Sequence, residues 1–198
     1  TMPNPRILGA VRALFPGKRF VHLRQDHTRI VRRADAGMDP SGLAGDGLLT
    51  DDPDTVIGVT AADCMPIFIR DPVRRIRGVL HSGWKGTGIL REALRMLEAG
   101  YRCDPADVEV IFGPCIGPCC YDVSRERAEA FEAAHGPGAA VCGGGRWHLD
   151  LRAANRNILA AAGLAEAAVY SECTVCDPRF GSYRREGSGN YTRMLALA

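Results

Sequence analysis

The sequence has no long apolar run and no excess of charge of one sign. Nowhere in its 198 residues do about 18 consecutive apolar side chains occur, as a membrane-spanning helix requires. The 25 basic and 23 acidic residues leave a formal net charge of +2. That balance is too even to create the broad positive field that nucleic-acid binding usually needs. We therefore expect no membrane segment and no nucleic-acid partner.

The first residues also lack the features of an export signal. Residues 1–16 contain Gly and Pro but no apolar stretch of the length found in a signal peptide, so we expect a cytoplasmic location. Disulfides are rare in that compartment. The eight cysteines therefore indicate thiol or metal chemistry for some of their number, although cysteine is also a common small residue of protein cores.

What the chain does contain is the composition of an ordinary globular protein, with 46% hydrophobic and 24% charged residues. The length and the absence of repeats or a clear linker predict a single domain, 1–198. Short β-branched segments bounded by Gly, Pro or Asp predict strands at 20–23, 30–31, 56–59, 67–69, 76–80, 108–112, 169–171 and 181–184. Helical spacing and capping residues predict helices at 7–15, 87–100 (capped by Thr87), 124–135 and 150–162, and Gly content predicts a loop at 136–145. The irregular order of these elements favours mixed α and β structure over a regular βαβ array.

Three residues have the chemistry of a metal site. Cys64 follows Asp63 after one predicted strand, and His81 ends a later one. His27 lies in the loop between the first two predicted strands, where a turn would bring its imidazole to the same edge. Zinc accepts Cys sulfur and His nitrogen readily, and three protein ligands leave a position open for water or substrate. An open zinc ion also makes bound water much more acidic, which suits hydrolytic chemistry at neutral pH.

Two other interpretations of Cys64 remain open at this stage. The thiol is equally explained as a buried core residue, with His27 and His81 as ordinary polar side chains at strand ends. Alternatively, Cys64 is a nucleophile and His81 is its base, as in thiol hydrolases.

A second group of cysteines surrounds two separate segments. The run 113–120 contains Cys115, Cys119 and Cys120, and Cys173 and Cys176 form a Cys-x-x-Cys pair. Together they resemble a structural site of four thiolates, but the first three lack the usual two-plus-two spacing. The alternative is that Gly and Pro in this run simply set a tight loop after a strand.

Two segments have features that suit anionic ligands. Residues 81–86 precede a predicted helix, whose first amides attract anions, although the spacing is not that of a nucleotide P-loop. Near the end, Arg179, Arg184 and Arg185 flank Tyr183. This arrangement suits an anionic or aromatic substrate, and a solvated basic face explains it equally well.

Several short motifs, in order along nearly the whole chain, resemble those of the bacterial YfiH-like family, also called the laccase-domain or polyphenol-oxidase-like family. The matching segments are Gln25-Asp26-His27, residues 45–50 (GDGLLT), Ala62-Asp63-Cys64-Met65-Pro66, residues 81–86 (HSGWKG), residues 113–123 (GPCIGPCCYDV), Asp150-Leu151 and residues 177–185. The resemblance is to the members of purine nucleoside phosphorylase type.

The resemblance implies a four-layer α/β/β/α fold with mixed sheets. It also implies one zinc ion held by His27, Cys64 and His81. The expected activities are phosphorolysis of adenosine or inosine, and of methylthioadenosine, with inorganic phosphate as co-substrate, and deamination of adenosine. Beside those three catalytic residues, Asp63 is the candidate for a proton-transfer or positioning role. Gly83, Trp84 and Arg184 are the candidates for substrate binding, the last together with the amides after Gly83 for phosphate.

The resemblance leaves three alternatives and three departures. A copper-dependent polyphenol oxidase of the multicopper type needs several copper ions and many His ligands, whereas this chain has five His. An amidase that edits peptidoglycan precursors would use the same zinc, and a non-catalytic zinc protein would have four protein ligands. Lys85 stands where the family has Arg, and the terminal Thr-Gly-Arg is loosely matched by residues 188–193. Because the chain begins close to His27, we also expect it to lack an upstream Asn-Arg pair that relatives have.

Overall fold

The computed structural model describes residues 5–40 and 42–198, and the single domain 1–198 stays a prediction. The helices are α1 (Pro5–Leu14), α2 (Ile89–Met96, continued by a π-helical turn Leu97–Tyr101), α3 (Arg125–His135), α4 (Leu151–Ala161) and α5 (Tyr183–Glu186), with a 3-10 turn at Pro105–Asp107. The strands are β1 (Arg19–His22), β2 (Val31–Arg33), β3 (Gly47–Thr50), β4 (Thr55–Ala61), β5 (Met65–Asp71), β6 (Ile76–Ser82), β7 (Glu109–Phe112), β8 (Asp122–Val123), β9 (Ala140–Gly143), β10 (Arg146–Leu149), β11 (Ala168–Val169) and β12 (Met194–Leu197).

A six-stranded mixed sheet forms the centre of the molecule, in the order β11-β7-β5-β6-β3-β2. Its inner strands pair antiparallel, and the pairs at its two edges are parallel. Six of the seven residues of β6 are buried, as expected of a strand covered on both faces. The antiparallel pairing sets Pro66, just after Cys64, opposite His81. The start of β5 and the end of β6 therefore bring these two predicted ligands to one edge.

A second mixed sheet, β1-β4-β12, packs on one face of the central sheet, with β4 against β3, β5 and β6. Its interface is apolar and includes the buried side chains Val21, Ile57, Val59, Leu48 and Val79. Burial of such side chains stabilises the fold by roughly 1.5–3 kcal/mol each. Two sheets thus share one hydrophobic layer.

Helices cover the opposite face of the central sheet. Helix α2 packs on β6, β3 and β2, and α4 packs on α2 and α3. The larger hydrophobic cluster lies here and includes Leu80, Ile89, Leu90, Phe112 and Phe131. A small antiparallel sheet, β8-β10-β9, lies beside α3. Helix α1 is short and buries Val11. The predicted α+β fold with mixed sheets is confirmed.

Three local predictions were wrong. Residues 181–184 form no strand, because Ser182 caps α5 by accepting a hydrogen bond from the Arg185 amide. Residues 136–145 are not all loop, since β9 and β10 form a hairpin whose turn, Gly144-Gly145, has the positive φ angles that such turns require. Thr87 does not cap α2, because its hydroxyl donates to the Gly83 carbonyl one turn earlier.

Candidate metal centre and cavity

His27, Cys64 and His81 meet at the edge where β5 begins and β6 ends. Their ligand atoms all lie within 4.8 Å of one another, and the two imidazole rings have centroids 5.0 Å apart in an edge-on arrangement. The three residues come from three separate segments: the loop after β1, the turn between β4 and β5, and the last part of β6. The fold thus brings together the triad that the sequence predicted.

Gly83 explains how the thiol fits beside the imidazoles. A Cβ atom built on Gly83 would overlap the Cys64 Sγ, so a larger residue here would displace the sulfur. The predicted role of Gly83 was to bind substrate. Gly83 lies against Cys64 and is not one of the residues that form the wall of the cavity described below, and its role in substrate binding stays a prediction.

Asp46 holds both histidine segments in place. Its carboxylate is fully buried and contacts the His81 Nδ1 at 2.9 Å, which leaves Nε2 as the ring nitrogen to face a metal. It also accepts hydrogen bonds from the amides of His27 and Thr28 and from the Thr28 hydroxyl. His27 itself has a positive φ of 57°, a conformation that costs free energy and is often found at functional sites. One carboxylate therefore orients the imidazole of His81 and the backbone of His27.

The three groups favour a charged state of the centre. Burial raises the pKa of the Cys64 thiol, but the positive charge of His81 and hydrogen bonds from both histidines outweigh it and lower the pKa to about 6. Burial lowers the pKa of His81, but the Cys64 thiolate and the Asp46 carboxylate raise it to about 9. The pKa of Asp46 is lowered despite its burial, because His81 and Thr28 donate hydrogen bonds to it. A thiolate is thus available at neutral pH, and a thiolate is the form that binds metals.

The donor set fits a zinc ion. A tetrahedral zinc with Zn–N near 2.0–2.1 Å and Zn–S near 2.3 Å has donors roughly 3.3–3.6 Å apart, which small side-chain shifts achieve here. In residues 5–40 and 42–198, this group consists of three side chains. Neither Cys115 nor Cys119 completes it, so the described donors leave a fourth position open.

A cavity of about 500 Å³ opens beside the three donors. Its walls are formed by Gln25, His27, Thr60, Ala61, Ala62, Asp63, Cys64, His81, Trp84, Lys85, Ile116, Tyr121, Arg127, Leu151, Tyr183, Arg184, Tyr191 and Arg193. Cavities of this size hold small molecules of the size of a nucleoside or cofactor fragment. Four cationic side chains and one carboxylate, that of Asp63, line it, so the cavity is positively charged apart from its ligand residues.

Aromatic rings and cations are interleaved on these walls. The Arg127 guanidinium lies 4.0 Å from the centre of the Trp84 ring, and the Lys85 ammonium lies 5.6 Å from it. The Tyr183 and Tyr191 rings meet edge to face at 5.0 Å. Such walls offer flat apolar faces to a planar group and positive charge to an anion.

Asp63 is committed to hydrogen bonds on both oxygens. Its Oδ1 accepts from the buried Thr174 hydroxyl at 2.6 Å, and its Oδ2 accepts from the Arg184 amide at 2.7 Å. Its φ of 81° is also in the left-handed region. These contacts favour the positioning role that was expected as one option for Asp63, since the carboxylate fixes the turn that carries Cys64.

The Arg184 side chain lines the cavity but already has a carboxylate partner. Its guanidinium contacts the Asp122 carboxylate at 2.5 Å and donates to the Cys120 carbonyl at 3.2 Å. It also lies 5.5 Å from the centre of the Tyr121 ring. Lys85, Arg127 and Arg193 also line the cavity.

Sequence reasoning gave no role to several residues that the structure brings to the centre. Asp46 lies within the matched segment 45–50, so an acidic residue directly before a buried strand was the available signal. Gln25 lies in another matched segment, and its side-chain amide exchanges hydrogen bonds with the Thr60 backbone. The sequence contains no such signal for Arg127 or Tyr191, because each is a single residue outside the closely matched motifs.

The second set of cysteines is also brought together, with one exception. The Sγ atoms of Cys119, Cys120, Cys173 and Cys176 lie within 4.8 Å of one another. Cys115 is fully buried in the core and belongs to neither group, although its backbone pairs with that of Cys173.

Comparisons with known proteins show which family the chain resembles. The family described as multi-copper polyphenol oxidoreductase laccase matches residues 4–198. The chain is 35% identical over 151 residues to a human protein named purine nucleoside phosphorylase LACC1, covering 72% of this chain and 35% of that protein. It is 36% identical over 172 residues to adenosine deaminase RL5 from an unknown prokaryotic organism, covering 79% of this chain and 63% of that protein.

Among solved structures, YlmD from Geobacillus stearothermophilus superposes with a TM-score of 0.84 at 32% identity, covering 97% of this chain and 77% of that one. A hypothetical protein YfiH from Bacillus licheniformis has the same TM-score at 30% identity, covering 94% and 77%. The chain spans only about a third to two fifths of the length of the mammalian LACC1 proteins.

Proposed function

Since this chain belongs to the YfiH-like family, described as multi-copper polyphenol oxidoreductase laccase, we propose that it is a zinc-dependent enzyme acting on purine nucleosides. The proposed reactions are cleavage of adenosine, inosine or methylthioadenosine by inorganic phosphate, to free base and ribose 1-phosphate, and deamination of adenosine. The observation that carries the proposal is a three-donor centre beside a cavity with aromatic and cationic walls. The names of relatives, purine nucleoside phosphorylase and adenosine deaminase, support it.

In this proposal, different residues of the cavity bind the purine base and the phosphate. The rings of Trp84, Tyr183 and Tyr191 would pack on the flat faces of a purine. Lys85, Arg127 and Arg193 would hold phosphate. Arg184 would contribute less than predicted, because Asp122 already neutralises its charge. A base and an anion are the two components that phosphorolysis must bring together, and holding both in one cavity favours their reaction.

His27, Cys64 and His81 would hold the zinc ion, which when bound would supply a Lewis acid and a site for acidified water. Asp46 would keep the His81 ring in the orientation that presents Nε2. Asp63 would fix the turn carrying Cys64 through its two hydrogen bonds. The apolar side chains of Ile116 and Leu151, which also line the cavity, would limit water there.

Product analysis tests the proposal. Zinc-loaded protein incubated with adenosine and with inosine, each with and without phosphate, should release free base only when phosphate is present, and adenosine should also yield inosine. His81→Ala should abolish both activities, whereas His148→Ala, which changes a histidine away from the cavity, should retain them. No product from the zinc-loaded protein under any condition would refute the proposal. Equal turnover by His81→Ala would assign the activity to a contaminant.

The alternatives make different predictions. A copper-dependent polyphenol oxidase of the multicopper type is disfavoured, because the five histidines of the chain cannot supply several copper ions. An amidase that edits peptidoglycan precursors would release an amino acid in place of a purine base. A non-catalytic zinc protein would have a closed set of four donors, which the described group lacks. A cytoplasmic location and the absence of nucleic-acid partners stay predictions. Within the described residues, no helix is long and apolar enough to cross a membrane.

A further inference from the structure

Four cysteine thiols converge at a place away from the cavity. Cys119 and Cys120 follow the turn after β7, and Cys173 and Cys176 lie in a turn after β11. More than 50 residues separate the two pairs along the chain, yet Cys176 Sγ lies 3.8 Å from Cys119 Sγ and 3.4 Å from Cys120 Sγ. All four sulfur atoms lie within 4.8 Å of one another. None of the four lines the cavity.

These separations match the geometry of one tetrahedral ion. With Zn–S bonds of about 2.3 Å, the sulfur atoms of a four-thiolate site lie roughly 3.8 Å apart. Of the observed distances, 3.8 Å equals that value and 3.4 Å is slightly shorter. Two disulfides would instead need two pairs of sulfur atoms at about 2.0 Å. The separations of Cys176 Sγ from Cys119 Sγ and Cys120 Sγ are well above that length.

The backbone around the sulfurs is also arranged for thiolates. The Gly117 amide donates to Cys173 Sγ at 3.2 Å, a hydrogen bond that stabilises a negative sulfur. A Cβ on Gly117 would lie 3.2 Å from Cys119 Sγ and 3.3 Å from Cys173 Cβ, so the two segments approach closely because residue 117 has no side chain.

Two arginines hold the backbone of the two ligand segments. Arg185 donates to the carbonyls of Thr174 and Val175, within the Cys-x-x-Cys turn, and Arg184 donates to the Cys120 carbonyl. Four thiolates around one divalent ion carry a net charge of −2. Arg184 and Arg185 are paired with Asp122 and Glu186, so their contribution would be to hold the two ligand turns in place through the carbonyl groups.

We propose that Cys119, Cys120, Cys173 and Cys176 bind a second zinc ion in a closed, structural site. The site would join the turn after β7 to the turn after β11, two loops without a strand-pairing ladder between them apart from the single bridge of Cys115 with Cys173. Its value to the fold would be local, because Thr174, inside the Cys-x-x-Cys turn, holds the Asp63 carboxylate beside Cys64. The four thiols would lose their protons to solvent as the ion binds.

Metal content tests this site independently of activity. Protein purified with zinc and dialysed should contain two zinc ions per chain. Cys176→Ser and Cys119→Ser should each contain one, Cys64→Ser should also contain one, and Cys64→Ser/Cys176→Ser should contain none. Cys142→Ser is the matched control, because Cys142 is exposed and belongs to neither group, and it should keep two. A wild-type chain with one zinc that is lost only in Cys64→Ser would overturn the proposal, and would leave the proposed enzyme intact.

Cobalt substitution and thiol counting need no variant of the four cysteines. Cobalt(II) added to metal-free Cys64→Ser should give the intense visible bands of a tetrahedral thiolate complex, at one ion per chain. Denatured wild-type protein should titrate for eight free thiols, the number of cysteines in the chain. Absence of the cobalt bands would show that the four thiols hold no tetrahedral ion, and a titration four thiols short would replace the metal site by a pair of disulfides. Either result would overturn the proposal.

Discussion

The two cysteine-containing groups of this protein differ in the partners that surround each sulfur. Around Cys64, two imidazoles and a buried carboxylate favour charge separation, and the thiol pKa falls to about 6. Around Cys119, burial and the hydrogen bonds of Cys173 and Cys176 raise the thiol pKa to about 11. Imidazoles can become positive and stabilise a thiolate, whereas neighbouring thiols can only become negative. The first group therefore keeps one reactive thiolate without a metal. In the second group burial raises the pKa of Cys173, but hydrogen bonds from the backbone amides of Gly117, Cys176 and Val175 outweigh it and lower the pKa to about 7, while Cys119 needs a cation to ionise.

The groups differ as much in access. His27, Cys64 and His81 offer three donors at the wall of a cavity, which is the arrangement of a catalytic site. The four cysteines offer four donors and line no part of that cavity, which is the arrangement of a structural site. A catalytic metal site is therefore distinguished from a structural one by the number of its donors and by the cavity beside it, and not by the presence of cysteine.

Replacing one cysteine of each group by alanine should give the largest difference in activity and melting temperature between the two groups. Cys64→Ala removes a metal donor at the cavity, and we expect kcat/KM for nucleoside cleavage to fall by more than about 100-fold with little change in melting temperature. Cys176→Ala should lower the melting temperature and change kcat/KM by less than about tenfold, measured where the variant is folded. If Cys176→Ala were folded and as inactive as Cys64→Ala, the second group would have to take part in the reaction.

The thiol reactivities of the metal-free protein should follow pKa and not exposure. At pH 7, a thiol of pKa about 6 is mostly thiolate, and one of pKa about 11 is about 0.01% thiolate. The weaker nucleophilicity of the more acidic thiolate reduces this advantage to about 50-fold. Cys64 should therefore be alkylated by iodoacetamide about 50 times faster than the more exposed Cys119.

Peptide mass spectrometry of chelator-treated protein, sampled over time, measures these rates. The Cys64 rate should fall as pH decreases through about 6, because the thiolate becomes protonated. The Cys119 rate should still rise between pH 8 and 10. Faster labelling of Cys119 at pH 7 would show that exposure outweighs the imidazole effect. Ser substitution of His81 should shift the Cys64 profile to higher pH.

The two groups also differ in that a ligand of the cavity centre, His81, is oriented by the buried carboxylate of Asp46. Asp46→Asn keeps the shape but removes the negative charge that orients His81, and we expect zinc affinity at the cavity to fall about 10- to 100-fold. Competition with a chromogenic chelator measures the affinity. Asp26→Asn, at an exposed position directly before His27, is the matched control and should leave affinity unchanged. Equal zinc affinities of Asp46→Asn and wild type would show that the Asp46 carboxylate has no role in metal binding.

The sequence predicted the cavity triad because its three members stand in distinct motifs. Their convergence has a different cause from the one first expected, however. Cys64 follows β4, but β4 belongs to the second sheet, and the contact with His81 comes from the antiparallel pairing of β5 with β6. Periodicity marks strands and says little about which strands pair, so the positions were predictable and the pairing was not.

Other features depended on contacts between distant segments. β12 was missed because Met194–Leu197 is short and gains its place by pairing with β4. The four-cysteine group was considered with Cys115 included, but spacing cannot reveal that this thiol lies buried in the core. Helices α3 and α4 were predicted within a residue or two, because Ser124 and Asp150 cap them through local hydrogen bonds. Locally encoded elements were thus predicted well, and elements that depend on long-range packing were not.

The smallest expected effect concerns the hydrogen bond that links the two groups. Thr174 is fully buried, and its hydroxyl donates to Asp63 Oδ1 at 2.6 Å. Thr174→Val keeps the shape and removes the donor, so the variant should lose about 1–3 kcal/mol of unfolding free energy, measured by denaturant titration. We expect kcat/KM to fall by less than about tenfold, because the turn that carries Cys64 loosens.

Thr174→Ser is the control that restores the hydroxyl, and it should recover most of the lost activity. A double-mutant cycle with Asp63→Asn isolates the interaction, and the two substitutions should be far from additive. The four cysteines are untouched in Thr174→Val, so that variant should still bind two zinc ions, with only the cavity ion bound more weakly. If Thr174→Val instead lost the ion of the four-cysteine group, the hydrogen bond from Thr174 to Asp63 would be stabilising that group. The proposal that the four-cysteine group stabilises the turn carrying Cys64 would then be wrong.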